Sequence, residues 1–306
     1  MDTNKGSCSE NPGMARRAPK VTVIVPHYHD LAGLALCLAA LDRQTYPRQD
    51  FEIVVGDNNS PEGEAAVARV IAGRARLVIV REKGAGPARN GAVAAAHGEV
   101  LAFTDSDCQP ERDWLAEGVA ALGAYDFVGG RVKVLVDDAN CMTPAEAFER
   151  VFAFDFKNYI LKKGFTGSGN LFCSRAMFET VGGFRAVVSE DVDWSFRARR
   201  MGFRLGYAPE VVLGHPARRT WPDLLQKWRK TNFETYSLIT ERRGGKWWWF
   251  VRSLALPASA IVHTPRVLLS RELRTVEQRL AATSALFRLR WWRFLDAMRL
   301  LSPPKP

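Results

Sequence analysis

Three short acidic stretches follow one another along this chain: Asp57-Asn58-Asn59-Ser60, Asp105-Ser106-Asp107 and Glu190-Asp191. The first two each follow a short apolar run, residues 51–55 and 100–103. Runs of that length predict buried strands rather than helices. Carboxylates beyond the C-terminal ends of parallel strands stand where open α/β sheets bind ligands. Asp105 and Asp107, at i and i+2, can share a divalent cation with a diphosphate. Mg2+ and Mn2+ are hard ions that take oxygen ligands and keep substrate phosphates in their shell. The same Asp-Ser-Asp also suits an ordinary turn. Its place after the fourth strand of an alternating series favours the metal.

Asp57 reads either as an acceptor for a base or ribose or as part of a turn that caps the next helix. Asp191 precedes Asp193, Trp194 and Arg197. It reads either as a general base for an attacking hydroxyl or as a helix N-cap. Gly84-Ala85-Gly86-Pro87-Ala88-Arg89 resembles a Gly-rich dinucleotide loop, but Arg89 replaces the third glycine and the loop follows the third strand rather than the first. It therefore suits presenting Arg89 and Asn90 to a nucleotide better than it suits hydride transfer. His215, in Gly214-His215-Pro216, is a candidate metal or phosphate ligand.

The elements that must carry these residues alternate. Strands are predicted over 21–25 (ended by Pro26), 51–55, 77–80 and 100–103. Helices are predicted over 31–41, 61–71 and 87–96. Short links between them argue for βαβ units and a mostly parallel sheet, an α/β fold. Further on, the pattern predicts one or two strands over 127–136, broken at Gly129-Gly130, and a Phe-rich helix over 144–160. A glycine-rich loop over 163–170, helices over 191–201 and 222–240, and a late strand over 211–213 complete it.

The 306 residues, 47% hydrophobic and 25% charged, are ordinary for a globular protein. Five scattered cysteines without a CxxC pair, and a polar stretch over 1–20 in place of a secretory segment, predict reduced thiols in a cytosolic setting. Residues 1–19 read as a disordered basic leader. The net charge of +10 is concentrated at the end: beyond 244, eleven basic side chains face three acidic ones, a local excess of +8. A boundary near Gly244 divides a catalytic domain, 20–243, from a basic, Trp-rich helical extension, 244–306.

Taken together, Val21-Thr22-Val23-Ile24-Val25-Pro26, Asp57-Asn58-Asn59-Ser60, Ala88-Arg89-Asn90-Gly91, Phe103-Thr104-Asp105-Ser106-Asp107, Val181-Gly182-Gly183-Phe184 and Ser189-Glu190-Asp191-Val192-Asp193-Trp194-x-x-Arg197 resemble the family 2 glycosyltransferases over about residues 20–240. The resemblance implies a GT-A fold, a Rossmann-like mixed, mostly parallel sheet flanked by helices. It also implies a nucleotide-sugar donor, Mg2+ or Mn2+, and inversion at the anomeric carbon. Residue by residue it implies that Asp57 contacts the base, uracil in a UDP-sugar, and that Pro26 opens the loop beneath it. Arg89, Asp105 and Ser106 bind the donor, and Asp107 holds the metal. His215 joins Asp107 there or binds pyrophosphate. Asp191 is the catalytic base, with Glu190 and Trp194 beside the acceptor. Gln226-Lys227-Trp228-Arg229-Lys230 departs from the Q-x-x-R-W motif of processive synthases, and long apolar spans are missing. Both departures argue for transfer of one sugar or a few.

Trp, Arg and interrupted apolar stretches beyond 244 are the composition of a segment lying in a membrane interface. The expected extension is monotopic, with anionic lipid as its partner, at the inner face of the cytoplasmic membrane. A helical hairpin packed on the catalytic domain is the alternative. Membrane contact would make a lipid-linked acceptor, in cell-envelope, exopolysaccharide or glycolipid synthesis, as plausible as a saccharide. Two other classes share parts of the pattern: a metal-assisted nucleotide-diphosphate hydrolase, and a basic nucleic-acid-binding protein. The latter has no recognised motif and would leave the acidic stretches unused.

Overall fold

A computed structural model of the chain describes residues 20–302; the expected leader, 1–19, lies outside the described residues. The first part alternates as the periodicity predicts: β1 (Val21–His27), α1 (Leu31–Leu41), β2 (Phe51–Asp57), α2 (Glu64–Ile71), β3 (Arg76–Ile79), α3 (Ala85–Ala94) and β4 (Val100–Thr104). Then come β5 (Gln109–Pro110), α4 (Trp114–Ala121), β6 (Phe127–Leu135), α5 (Pro144–Phe152) and the short α6 (Phe156–Asn158), which runs into a π turn (Tyr159–Lys163). β7 (Asn170–Ser174), α7 (Arg175–Val181), α8 (Glu190–Arg200), β8 (Leu205–Pro216) and α9 (Trp221–Thr240) follow. A long pair, α10 (Gly245–Leu268) and α11 (Val276–Arg299), ends the described chain.

The strands form one eight-stranded sheet in the order β3-β2-β1-β4-β7-β6-β8-β5. β3, β2, β1 and β4 run parallel, β7 is antiparallel to both its neighbours, and β6 and β8 are parallel again. This is the mixed, helix-flanked sheet expected. β1 is buried along its whole length and splits its side chains between two cores, as period-2 geometry requires. Val23 and Val25 join Leu34 and Leu38 of α1 and Trp114 of α4. Ile24 points the other way, into a core with Phe103, Phe127, Phe178 and Trp194.

Several boundaries differ from the sequence reading. Pro26 does not end β1. The ladder with β4 stops at Ile24–Phe103, so Pro26 sits where β2 is the strand still paired beside it and its missing N–H costs little. α2 starts at Glu64 rather than at Pro61, because Gly63 intervenes at φ 80°. The helix expected over 144–160 stops at Phe152: Ala153 is extended and Phe154 lies in the left-handed region at φ 56°. The late strand is β8, far longer than 211–213. α4, β5, β7 and α7 have no counterpart in the sequence reading.

β6 is one strand, not two, and carries a register shift between Gly130 and Arg131. Asn170 satisfies the carbonyls this frees: its Nδ2 donates to the oxygens of Arg131 (3.2 Å) and Val211 (3.1 Å). Its Oδ1 accepts from Trp114 Nε1 at 2.9 Å. The bulge thus ties β6, β7, β8 and α4 together.

α10 and α11 pack on α5 and α9 through a third core that includes Phe148, Leu224, Leu273, Leu286 and Leu289. Trp249 Nε1 donates to the carbonyl of Ala297 at 2.9 Å. Among the described residues no helix is long and apolar enough to cross a membrane.

A Cβ on Gly130 would stand 1.9 Å from the Val211 carbonyl oxygen, a backbone atom that the bulge holds in place. Gly130→Ala should therefore cost about 1–3 kcal/mol, the usual range for overpacking. It should appear as a lower denaturant midpoint at unchanged m-value.

Candidate functional site

The C-terminal end of β4 and the start of α8 meet at one side chain, Arg89. α3 is alanine-rich and slender, and its second turn is buried against β1 and β2. Arg89 on that turn is only 3% exposed. Its guanidinium donates to Asp105 just after β4, and through Nη1 to Glu190 Oε1 at the start of α8, at 2.7 Å. Two acids about 85 residues apart in sequence are thus joined by one rigid fork, a geometry lysine cannot provide. Burial acts against the guanidinium's charge, but Asp105, Glu190 and Asp191 overcome it and hold its pKa above the ordinary value.

Asp191 follows Glu190 in the first turn of α8 and is half-buried. Its Oδ1 accepts from the N–H of Val192 at 2.8 Å. Burial, and then the neighbouring Glu190 charge, push its pKa up to about 6, against the pull of Arg89. A carboxylate so tuned is ionised at neutral pH and basic enough to take a proton. Glu234 of α9 faces the same pair of acids. Burial, and the charges of Glu190 and Asp191 against that of Lys230, push it up to about 7.

Asp107 and His215 meet at the ends of β4 and β8. His215 Nε2 lies 3.2 Å from Asp107 Oδ2, while His215 Nδ1 faces the Pro216 carbonyl oxygen at 2.7 Å. A carbonyl can only accept, so Nδ1 carries a proton and Nε2 is the ring atom turned toward the carboxylate. Nε2 and the Asp107 oxygen are thus the two atoms placed to share a cation, and a carbonyl on the far ring nitrogen is the support that metal-ligating histidines use. Cys108 Sγ belongs to the same cluster. Burial and the charges of Asp105 and Asp107 push its thiol well up, so it stays protonated and is a poor ligand for a hard ion. The Phe154 ring packs on His215 at 4.4 Å, which accounts for the unusual backbone at Phe154.

The remaining expected residues are placed as follows. Asp57 is buried beneath the cleft at 1% exposure. Its Oδ1 accepts from Ser60 Oγ (2.6 Å) and His27 Nδ1 (2.7 Å), and its Oδ2 from the Ser60 N–H (2.9 Å). The carboxylate holds the Asn58–Ser60 turn in place; it is not open to the cleft. Pro26 lies in β1 one residue before His27. Ser106 is half-buried between the two aspartates in chain order. Trp194, expected beside the acceptor, must be reassigned. It is fully buried, packs on Phe127, Phe178 and Phe184, and donates from Nε1 to the Gly182 carbonyl at 3.0 Å. It anchors α8 rather than touching a ligand.

Sequence reasoning missed the support around the site. His27 braces Asp57. Asn90 holds the Phe184 backbone by two hydrogen bonds of 2.8 Å. Glu149, wholly buried, gathers Lys227 (2.7 Å) and Arg218 (3.2 Å), and the Arg218 charge reaches Asp107. Arg218 lies three residues after His215, which was the one available signal; Glu149 sits in a helix and offers none.

Comparison with known proteins gives a consistent picture. The sequence profile of Glycosyl transferase family 2 matches residues 22–182. Glycosyltransferase AglE of Haloferax volcanii is 33% identical over 222 residues, covering 70% of this chain and 72% of that protein. A PGL/p-HBAD biosynthesis glycosyltransferase of Mycobacterium bovis is 30% identical over 190 residues, 60% of this chain and 70% of that one. Among solved structures, the mannosyltransferase PcManGT of Pyrobaculum calidifontis, in complex with GDP-Man and Mn2+, superimposes with a TM-score of 0.60. It is 22% identical and covers 93% of this chain and 87% of its own, a likeness of fold.

Arg89→Met leaves Asp105 and Glu190 without their common partner. Asp105 still reaches solvent, so the penalty is less than for a fully buried pair, about 1–3 kcal/mol. Arg89→Lys, reaching one acid at a time, should lose about half as much. Urea unfolding midpoints of the three proteins check the order wild type, lysine, methionine.

Proposed function

The chain belongs to glycosyl transferase family 2 and is a glycosyltransferase, and from that premise we propose a metal-dependent, inverting transfer from a UDP-sugar to an acceptor hydroxyl. The observation that carries the mechanism is Asp191, half-buried at the start of α8 with a pKa of about 6, beside the Glu190–Arg89–Asp105 bridge. Asp191 takes the proton of the attacking hydroxyl as its oxygen forms a bond to C1 of the sugar and the bond from C1 to the diphosphate oxygen breaks. One in-line displacement inverts the anomeric carbon. Glu190 is tied to Arg89 and does not compete for the proton.

Asp107 and His215 are the residues that would hold Mg2+ or Mn2+. When bound, such an ion neutralises charge on the departing nucleoside diphosphate. Arg218 places a further positive charge near Asp107. Arg89 fixes Asp105 against the donor. The turn that Asp57 organises with Ser60 and His27, together with Pro26, forms the base-side wall.

Residues 20–243 act as the catalytic domain and 244–306 as an extension that touches a membrane peripherally. α10 turns Trp247, Trp248, Val251, Leu254, Ile261 and Val262 outward, and α11 exposes Trp291 and Leu295. Such a surface, with Lys246 and Arg252 exposed beside it, suits the inner face of the cytoplasmic membrane and an anionic lipid partner. The acceptor is then a lipid-linked or saccharide intermediate of the cell envelope, an exopolysaccharide or a glycolipid.

Asp191→Asn should lower kcat by about 10^2–10^4-fold while leaving the thermal shift produced by UDP-sugar and Mn2+ intact. Because the Asp191 pKa is raised, the base is lost as pH falls: kcat/KM should decline about tenfold per unit below about pH 6 and be flat just above it. A flat profile from pH 5 to 7 would remove Asp191 from the role.

Deleting the extension would uncover the core it shares with α5, so the membrane assignment needs point variants. Trp247→Ser with Trp248→Ser should abolish flotation of the full chain with phosphatidylglycerol vesicles without moving its melting temperature. Equal flotation of wild type and variant would refute the assignment.

A further inference from the structure

Gln226-Lys227-Trp228-Arg229-Lys230, set apart in the sequence as a departure from a processive motif, lies in α9. Its tryptophan and arginine are taken up by the extension: the Arg293 guanidinium lies 3.8 Å from the centre of the Trp228 ring, and that of Arg229 lies 5.7 Å from the centre of the Trp292 ring. One turn on, Asn232 Nδ2 donates to Asp296 Oδ2 at 2.9 Å in a buried contact. Lys227 serves a different neighbour. Its Nζ donates to Glu149 Oε1 at 2.7 Å and lies 4.7 Å from the centre of the Phe154 ring. That same ring packs on His215 at 4.4 Å, and His215 Nε2 stands 3.2 Å from Asp107 Oδ2. An unbroken series of contacts therefore runs from Glu149 in α5, through Lys227 and Phe154, to the two side chains proposed to hold the metal.

A second series starts from the same carboxylate. Glu149 Oε2 accepts from the Arg218 N–H at 2.8 Å, and Arg218 Nη1 donates to both carboxylate oxygens, at 3.2 Å and 3.4 Å. The Arg218 backbone is thus fixed three residues after His215, where the chain leaves β8 for α9. Glu149 is wholly buried and out of reach of any ligand. Burial opposes its charge, but Lys227 and Arg218 outweigh that and hold its carboxyl below the ordinary value. Packing alone does not call for such a group, because replacing buried ions by apolar side chains of similar volume is often neutral or stabilising. The backbone at Phe154 also links the arrangement to the site. A φ of 56° is unfavourable for a bulky residue, and strain of this kind clusters at functional sites. Here the strained residue is the one that joins Lys227 to His215.

We propose that Glu149 is a positioning residue for the Asp107–His215 pair: through Lys227 it keeps the Phe154 ring against the imidazole, and through Arg218 it fixes the chain just beyond His215. The proposal rests on the metal-dependent reading of that pair. The imidazole has two supports, the Pro216 carbonyl at Nδ1 and the Phe154 ring inclined to it at 37°. A hydrogen bond at one nitrogen leaves the ring free to swing about that contact, and a second ring packed against it removes the freedom. Contacts of this outer kind orient metal-ligating histidines. Without the Glu149 charge, Lys227 and Arg218 are left as neighbouring cations with no shared counter-charge, and Lys227 loses its hold beside Phe154. The effect reaches His215 with no ligand atom altered.

Mn2+ binding to the full-length chain is measured by calorimetry and by loss of the free-ion paramagnetic resonance signal, with and without UDP, well below the lowest melting temperature of the set. The variants are Glu149→Gln, Lys227→Met, Phe154→Asn, Phe154→Tyr and, for reference, His215→Ala. Asparagine tolerates positive φ, so Phe154→Asn removes the ring and keeps the backbone. Wild type should bind Mn2+, and His215→Ala should lose most of the affinity. Glu149→Gln, Lys227→Met and Phe154→Asn should each lose about tenfold, the low end for changes around a metal ligand. Phe154→Tyr should stay near wild type. If Glu149→Gln does not fold, the Lys227 and Phe154 variants decide, since both residues are only partly buried. Lower melting temperatures with unchanged Mn2+ affinity in these variants, beside a loss in His215→Ala, overturn the proposal alone and leave Glu149 a structural support. Wild type that takes up no Mn2+ in either condition, or His215→Ala that binds it as well as wild type, overturns the metal reading and the proposal with it.

Discussion

A single buried guanidinium connects the two halves of this cleft. Arg89 sits on a helix packed over β1 and β2, and it holds one acid from the end of β4 and one from the start of α8. Each attachment alone would leave a charge in a poorly solvated place. Together they let a wholly buried cation keep its charge. The consequence is positional. The acids of the Asp105–Asp107 stretch and those of the Glu190–Asp191 stretch cannot drift apart without stranding Arg89. The half of the fold predicted to bind a donor and the half predicted to handle an acceptor are therefore fixed to each other by electrostatics rather than by a shared strand.

That arrangement also divides labour among carboxylates that look equivalent in sequence. Asp57 is spent on Ser60 and His27, Asp105 and Glu190 on Arg89, and Asp193 on Arg185 and Arg197. Asp191 accepts one backbone hydrogen bond and sits next to Glu190, so nothing comparable offsets its burial. Asp107 faces His215 Nε2 across 3.2 Å, with the Arg218 charge beyond. Asp191 is thus the acid left without a neutralising partner, and it is the one to which proton transfer is assigned. The same local chemistry that quiets the others marks it out.

The alternation of the first hundred residues was legible because each strand is a short, mainly apolar run and glycines bound α2 and α3. The cleft acids were legible because they follow those strands directly. What could not be read was anything set by contacts distant in sequence. β7 is short and reads as ordinary apolar sequence; it becomes a strand because β4 and β6 lie on either side of it. The Phe-rich pattern read as one helix runs to residue 160, yet α5 stops at Phe152, and Phe154 packs on His215. Trp194 shares a motif with Asp191, and sequence adjacency wrongly carried it into the site. A helix places residues three apart on one side of its axis only roughly, and here the core takes the indole while the cleft takes the carboxylate. His27, Glu149 and Lys227 are isolated polar residues in apolar or helical surroundings, and nothing local distinguishes them from surface positions.

The extension beyond Gly244 shows why composition alone could not choose between packing and membrane contact: both faces exist. One side of α10 and α11 is a core, with Trp249 bonded to Ala297 and leucines set against α5 and α9. The other carries exposed tryptophans and aliphatics that no described residue covers. The arginines divide the same way. Arg266, Arg274, Arg279 and Arg293 are consumed by internal hydrogen bonds or ion pairs. Arg288 lies over Trp221. Five of the eleven basic side chains beyond 244 are thus spent inside the structure, closing helix ends and capping aromatic faces. Binding to nucleic acid would call for a stripe of free cations along an exposed surface. The membrane contact proposed for the extension instead needs cations interleaved with exposed tryptophans and aliphatics.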